Sequence, residues 1–298
     1  MDEKEKIPSK FQSWILASRP KTLLAAIVPV AVGSAVAFEQ TKFEIIYSIV
    51  ALICATLIQV GTNFVNDYFD FQTGADNENR KGPKRGLALG IISLKEMKIG
   101  SILVFSIAFL FGLYLVYEGG IVILIIGIIS ILAGIAYTAG PFPFAYNGLG
   151  DIIVFIFFGI VGTMGTTYLQ TKDFSLLSFL ASIPVGALIT NILVVNNFRD
   201  VEEDKEAKKH TLAVLLGRNF SRYQFIVLLT ASFIIPVIFY FIFDFSIWIF
   251  LPYITLPVAF KLIKMLYTFE GLQLNQTLEL TAKFSAIFGI LFAIGLAI

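Results

Sequence analysis

Thr62–Gly90, TNFVNDYFDFQTGADNENRKGPKRGLALG, is the stretch whose reading decides the fold. It begins as the tail of an apolar run and passes without a break into Asn66, Asp67, Asp70 and Asp76. It ends in Lys81, Lys84 and Arg85 ahead of a Gly/Leu phrase. A carboxylate beside hydrocarbon costs free energy unless it is paired, hydrated or bound to a cation. A membrane helix ending on several of them therefore calls for positive charge at that place.

The rest of the chain fits a lipid setting. Of its 298 residues 57% are hydrophobic and only 14% charged, with 30 Phe, which is too apolar for a soluble domain of this length. The formal net charge is +1 and no basic face points to nucleic acid. Cys54 stands alone in an apolar segment and serves packing, so neither an internal disulfide nor a thiolate metal site can form. A single histidine, His210, excludes a multi-histidine metal centre, and neither HExxH nor GxSxG occurs. Any chemistry must rest on carboxylates, amides and basic groups.

With about 20 apolar residues per bilayer crossing, nine spans are expected, near 22–38, 43–65, 97–117, 119–138, 150–170, 175–195, 223–243, 245–266 and 281–298. Runs such as Ile121 to Ala133 do not alternate, which excludes a β-barrel. Ala35-Val36-Ala37 imitates a signal-peptidase site, but Pro29 lies inside a span-length stretch and the segment reads as the first helix. With the amino terminus in the cytoplasm, all 22 Lys and Arg except Lys42 and Lys172 fall on the cytoplasmic side. The expected architecture is all-α and integral to the membrane. Nine transmembrane helices surround a central cavity in one domain over residues 1–298, with the amino terminus cytoplasmic and the carboxyl terminus outside.

A second stretch echoes the first. Thr62-Asn63 leads to Asn66 and Asp70, and Thr190-Asn191 leads to Asn196 and Asp200. Each then passes through basic residues into a Leu/Gly phrase, ending at Gly90 and at Gly217. The spacing of about four spans suggests a parallel duplication, which sets the two acidic loops face to face. Positions four apart share a helix face, so Asn66 pairs with Asp70, and Asn196 with Asp200 and Asp204. Carboxylate and amide oxygens without thiolates are the ligands of a hard cation, Mg²⁺ above all, which favours one or two protein carboxylates plus substrate phosphate. Lys81, Lys84 and Arg85 follow the first cluster, and Arg199, Lys205, Lys208 and Lys209 surround the second. Such groups hold phosphate oxygens, so metal shared with a diphosphate is the site this pattern describes.

NDYFDFQTGAD with GPKRGLALG, YTAGPFPFAYNGLGD at Tyr137–Asp151, NNFRDVEED with KKHTLAVLLG, and RPKTLLAAIVPVAVG at Arg19–Gly33 resemble the UbiA superfamily of membrane prenyltransferases. Within it they are most similar to the branch that prenylates 1,4-dihydroxy-2-naphthoate for menaquinone synthesis. The first motif departs from acids at four-residue steps, since Gly74 follows Asp70 and the next acid is Asp76, a spacing that the naphthoate branch shares. Lys208 stands where a glycine is expected before the Thr-Leu phrase.

The resemblance implies a polyprenyl diphosphate bridged by Mg²⁺ to Asn66, Asp70, Asp76, Asp200 and Asp204. Asp70, Asp200, Lys84 and Arg85 form the catalytic set. Asn63, Asp67, Asn196, Lys209, Tyr137 and Arg19 are the implied substrate contacts, Arg19 either for the acceptor carboxylate or as a topogenic charge. An allylic cation is then attacked by the naphthoate ring, with loss of CO₂. Tyr68, Tyr137 and Tyr146 are candidates to stabilise that cation through their faces. Asp151 and Asp244 read as interfacial caps. Competing readings are a prenyltransferase for another aromatic acceptor such as 4-hydroxybenzoate, and a cation transporter. The latter places acids at mid-membrane, whereas here they lie at helix ends.

Overall fold

The computed structural model describes residues 8–74 and 85–298, and every regular element among them is helical. Helix α1 (Lys10–Ser18) opens on a capping box in which the Ser9 hydroxyl accepts from the Gln12 N–H and the Gln12 side chain accepts from the Ser9 N–H. It ends at Arg19, and α2 (Pro20–Glu39) begins with proline at its first position, where no N–H is needed. Then come α3 (Ile45–Gln72) and α4 (Leu94–Ala136), the latter capped by a reciprocal Ser93–Glu96 box. Helix α5 (Gly150–Val154) runs through a π-helical stretch, Phe155–Val161, into α6 (Gly162–Thr171). The remainder is α7 (Leu176–Arg199), α8 (Val201–Glu206), α9 (Leu212–Ile242), a 3₁₀ stretch Ile247–Thr255 leading into α10 (Leu256–Thr268), and α11 (Leu274–Ala297).

Eight helical stretches among the described residues are long and apolar enough to cross a membrane. In the most apolar window of α7, 78% of residues are buried, against 11% for α4, so α7 is the axis and α4 the rim. Around α7 the core joins Val32 and Val36 of α2, Phe225 and Phe239 of α9, and Phe288 and Phe292 of α11. On the rim, Ile102, Leu103, Leu110, Ile121 and Leu132 of α4 point outward. An apolar exterior on a bundle that satisfies its backbone internally is what lipid requires.

Helix α4 has 43 residues. At about 1.5 Å per residue it would extend roughly 65 Å, twice the ~30 Å hydrocarbon core. Its helical geometry is broken at Gly120 (φ 70°, ψ −160°), beside the 117–119 boundary expected between the third and fourth spans. Two other limits shift. Helix α3 continues two turns beyond the expected end at 65, because its amides and acids find partners there, and hydropathy does not register those bonds. Helix α9 starts at Leu212 rather than 223 and is interrupted at Gly217 (φ 81°).

The Gly120 conformation is open to glycine and strained for any L side chain, at a cost of about 1–3 kcal/mol. Gly120→Ala is expected to lower the thermal midpoint of the detergent-solubilised protein by roughly 2–8 °C, read by fluorescence or circular dichroism. An unchanged midpoint would contradict the assigned break.

Candidate active site

The end of α3 carries Asn63, Asn66, Asp67 and Asp70, all buried. Asp70 is the most heavily engaged. It accepts from Lys209 Nζ (2.9 Å) and from the Tyr146 hydroxyl (2.8 Å) at Oδ1, and from Arg85 Nη1 (3.1 Å) at Oδ2. Asp67, rotated off that face, accepts at Oδ1 from Arg19 Nη2 and forms an ion pair there with Arg85 Nη1, both at 2.8 Å. Arg85 thus bridges the two acids. Asn66 Oδ1 accepts from the Thr138 hydroxyl (2.8 Å), and Asn63 Nδ2 donates to the Ser18 carbonyl (3.0 Å).

The second acidic stretch comes from the α7–α8 junction. Helix α7 stops at Arg199, and Asp200 (φ −94°, ψ 11°) ends it and begins α8, so the expected continuous helical face is interrupted there. Arg199 holds both Asp200 oxygens, Nε on Oδ1 and Nη2 on Oδ2 at 2.6 Å each, while also donating to Asn196 Oδ1 (3.0 Å) and Asn275 Oδ1 (2.6 Å). The Asp204 N–H donates to the Asp200 carbonyl (2.8 Å), and the Lys209 N–H donates to the Asp204 carbonyl (2.7 Å). Burial pushes the Asp204 carboxyl up to about 7. Lys209 opposes that shift, and Asp200, Asp70 and Glu203 add to it.

Residues 137–149 form a third wall. Tyr146 gives its hydroxyl to Asp70 and shares a bond with the Thr73 hydroxyl (3.0 Å), while its carbonyl accepts from the His210 N–H (2.9 Å). Lys209 Nζ lies 4.7 Å from its ring centre. Burial, with Asp70 beside it, raises the phenol further above its usual range, so it stays a donor. One residue therefore ties both acidic loops together.

These groups rim a cavity of about 450 Å³. Its polar mouth holds Asn66, Asp70, Arg85, Asn196, Asp200, Asp204 and Lys209, and its body is lined by Cys54, Leu115, Val116, Ile123, Leu124 and Leu169. From Asp70 back to Ala51 along α3 the lining extends over a stretch of 20 residues, or roughly 28 Å. A charged head and a long apolar tail fit this shape.

Of the residues expected from sequence, Arg19, Asn63, Asn66, Asp70, Arg85, Tyr137, Asn196, Asp200, Asp204 and Lys209 all line this cavity. Asp67 does not. It is 1% exposed and holds Arg19 and Arg85, behind the cavity wall rather than on it. Asp76 and Lys84 lie outside the described residues. Asp151, expected as an interfacial cap, is 4% exposed and lines the cavity. Asp244 is exposed just past the end of α9, as a cap would be. Thr138 and Asn275 were not anticipated. Thr138 sits in the quoted Tyr137–Asp151 motif, whereas nothing in the local sequence marks Asn275. Lys208 adopts φ +56°, the left-handed region that explains why a glycine is expected there.

Among the described residues no three His, Cys, Asp or Glu side chains converge as a ready-made cage. The donors at the mouth are carboxylate and amide oxygens, and Asp70 already gathers an ammonium and a guanidinium. That set suits a hard divalent cation whose remaining ligands are waters and phosphate oxygens.

The sequence matches the UbiA prenyltransferase family over residues 26–293. The chain belongs to that family. It is 36% identical over 307 aligned positions to the 1,4-dihydroxy-2-naphthoate octaprenyltransferase of Haemophilus influenzae, covering 100% of each chain. It is 35% identical to the Escherichia coli enzyme of the same name, covering 97% of this chain and 96% of the other. A UbiA homologue from Archaeoglobus fulgidus, solved with DMAPP and Mg²⁺, superposes with a TM-score of 0.65 at 15% identity, covering 95% of this chain and 99% of that one. Membership identifies a polyprenyltransferase with several membrane helices.

Hydrogen bonds to a charged group contribute about 1.5–3 kcal/mol. Tyr146→Phe removes one from Asp70 and leaves the ring in place, so kcat/KM is expected to fall at least tenfold with no change in helix content. Wild-type kinetics in the purified variant would show that the Tyr146–Asp70 bond is not used.

Proposed function

We propose that this chain transfers a polyprenyl group from its diphosphate to 1,4-dihydroxy-2-naphthoate with loss of CO₂, giving demethylmenaquinol, the reduced form of demethylmenaquinone. One observation carries the reading. Lys209 from one acidic loop and Arg85 from the other close on the buried Asp70 at the mouth of a deep apolar cavity. The names of the relatives supply the acceptor.

Asn66, Asp70, Asp200 and Asp204 would hold Mg²⁺ together with the diphosphate. The metal, when bound, neutralises the charge that develops on the departing diphosphate. Lys209 and Arg85 turn from the acids toward the phosphate oxygens, where ionised donors bind most strongly. The apolar body takes the tail and keeps water from an allylic cation. Tyr137 lines the cavity, Tyr146 stands beside the mouth with its ring against Lys209, and Arg19 at the cavity wall suits the acceptor carboxylate.

We count α4 as two crossings on either side of Gly120, which brings the eight long stretches to nine. Under the positive-inside rule the amino terminus and both acidic loops then face the cytoplasm, and the carboxyl terminus lies outside. We read the chain as one domain built from a parallel duplication. Asn63 donates to the Ser18 carbonyl and Asn191 to the Phe225 carbonyl, and both Leu/Gly phrases end in a glycine with positive φ, at Gly90 and Gly217. A cation transporter is disfavoured because the charged groups cap one end of an elongated apolar cavity rather than standing along a path through the bilayer.

Membranes containing the protein, given Mg²⁺, a labelled prenyl diphosphate and a panel of hydroxyaryl carboxylates, are expected to prenylate the naphthoate. Asp70→Ala and Asp200→Ala are expected to lose at least a thousandfold in rate while remaining inserted and folded. Turnover of 4-hydroxybenzoate alone would reject the acceptor, and full activity in either variant would reject the site.

A further inference from the structure

The cavity wall carries a carboxylate set apart from the ionic cluster at its mouth. Asp151, in the first turn of α5, is 4% exposed and lines the cavity. The Gln224 side chain of α9 acts on its carboxylate, which forms no ion pair among the described residues, in contrast to Asp67, Asp70 and Asp200. A buried carboxylate with an amide and no cation is costly to keep for packing alone. The π-helical stretch Phe155–Val161 begins within a turn of it and contributes Phe157 and Phe158 to the same lining, and such irregularities gather at functional sites.

Its surroundings fit an aromatic acid. The Tyr137 hydroxyl lies 3.2 Å from where a Cβ on Gly150 would stand, next to Asp151 in the chain. Arg19 and Asp151, a cation and an anion, line the same cavity as Tyr137. A hydroxyaryl carboxylate spans such a pair, with its carboxylate toward Arg19 and its hydroxyl toward Asp151. We propose that Asp151 is the group that accepts, holds and returns the hydroxyl proton of the aromatic acceptor. This rests on the prenyl-transfer reading above.

The step balances without any other reactant. The Asp151 carboxylate takes the proton from the hydroxyl adjacent to the carboxylate-bearing ring carbon. The oxygen pair forms a carbonyl while that ring carbon bonds to C1 of the prenyl chain, and the C1–O bond breaks with its pair leaving on the diphosphate. The product of this step is a β-keto carboxylate. Its C–CO₂ bond then breaks, the pair returns to the ring, CO₂ departs, and the resulting oxyanion recovers the proton from Asp151. The carboxylate is regenerated and no net proton is consumed.

The test compares wild type with Asp151→Asn, which keeps the shape and the Gln224 contact, and with Asp151→Glu, which keeps the acid. In detergent with Mg²⁺ and prenyl diphosphate, Asp151→Asn is expected to lose at least a hundredfold in kcat at pH 7, in line with the ~10²–10⁴ of general-base catalysis. KM for the prenyl diphosphate should stay within twofold. The deficit should shrink about tenfold per pH unit as the acceptor hydroxyl ionises by itself, and Asp151→Glu should recover part of kcat with the wild-type pH profile. A kcat for Asp151→Asn within fivefold of wild type, a deficit that stays constant from pH 6.5 to 9, or an Asp151→Glu variant as impaired as Asp151→Asn would overturn the proposal. Failure of the broader reading looks different. Wild type would then prenylate some other hydroxyarene, and the same comparison of variants is made on that acceptor.

Discussion

A carboxylate with three donors, buried where a membrane bundle meets water, is the constraint on which the rest depends. Asp70 is 5% exposed, and Lys209, Arg85 and Tyr146 reach it from three different segments. Removing one partner from such a group costs more than the pair contributes, because it strands a charge in a low dielectric. The two acidic loops and the connection between α4 and α5 are therefore held in one geometry by one side chain. Asp67 reinforces it from behind, fixing Arg85 against Asp70 and Arg19 against the cavity wall.

The apolar bundle gives that cluster its meaning. Helix α7 is the most buried of the long stretches and delivers Asn196 and Asp200 from a central axis, whereas α4 turns an apolar face outward and contributes the floor of the cavity on both sides of Gly120. Ionic groups gather at the mouth, with Arg19 and Asp151 on the wall. An elongated apolar space beneath a cationic and acidic rim separates the two demands of prenyl transfer: charge where the diphosphate leaves, and dryness where the carbon skeleton reacts.

Much of this was legible in the chain because helical periodicity is a strong signal. The four-residue step from Asn66 to Asp70 put both on one face, and both line the cavity. Asp67 lies one residue on from Asn66 and so about 100° around the helix, where it meets arginines instead of the cavity. Continuity was assumed from Asn196 to Asp204, yet the helix breaks at Asp200, a change that hydropathy does not register. Tyr146 was singled out for its ring, but its hydroxyl and carbonyl do the joining. Contacts of that kind belong to tertiary structure and leave no local pattern. Lys208 is the opposite case. Its missing glycine was visible in the sequence, and its left-handed backbone explains it.

The central claim is that the two loops form a single site closed on Asp70, and a double-mutant cycle tests it most directly. Asp70→Asn, Lys209→Met and the double variant would be compared by calorimetry for Mg²⁺-dependent binding of an unreactive prenyl diphosphate analogue. If the loops act as one site, the two losses are non-additive by at least ~1 kcal/mol, within the range for groups in contact. Additivity within about 0.3–0.5 kcal/mol, as for distant independent residues, would contradict the account.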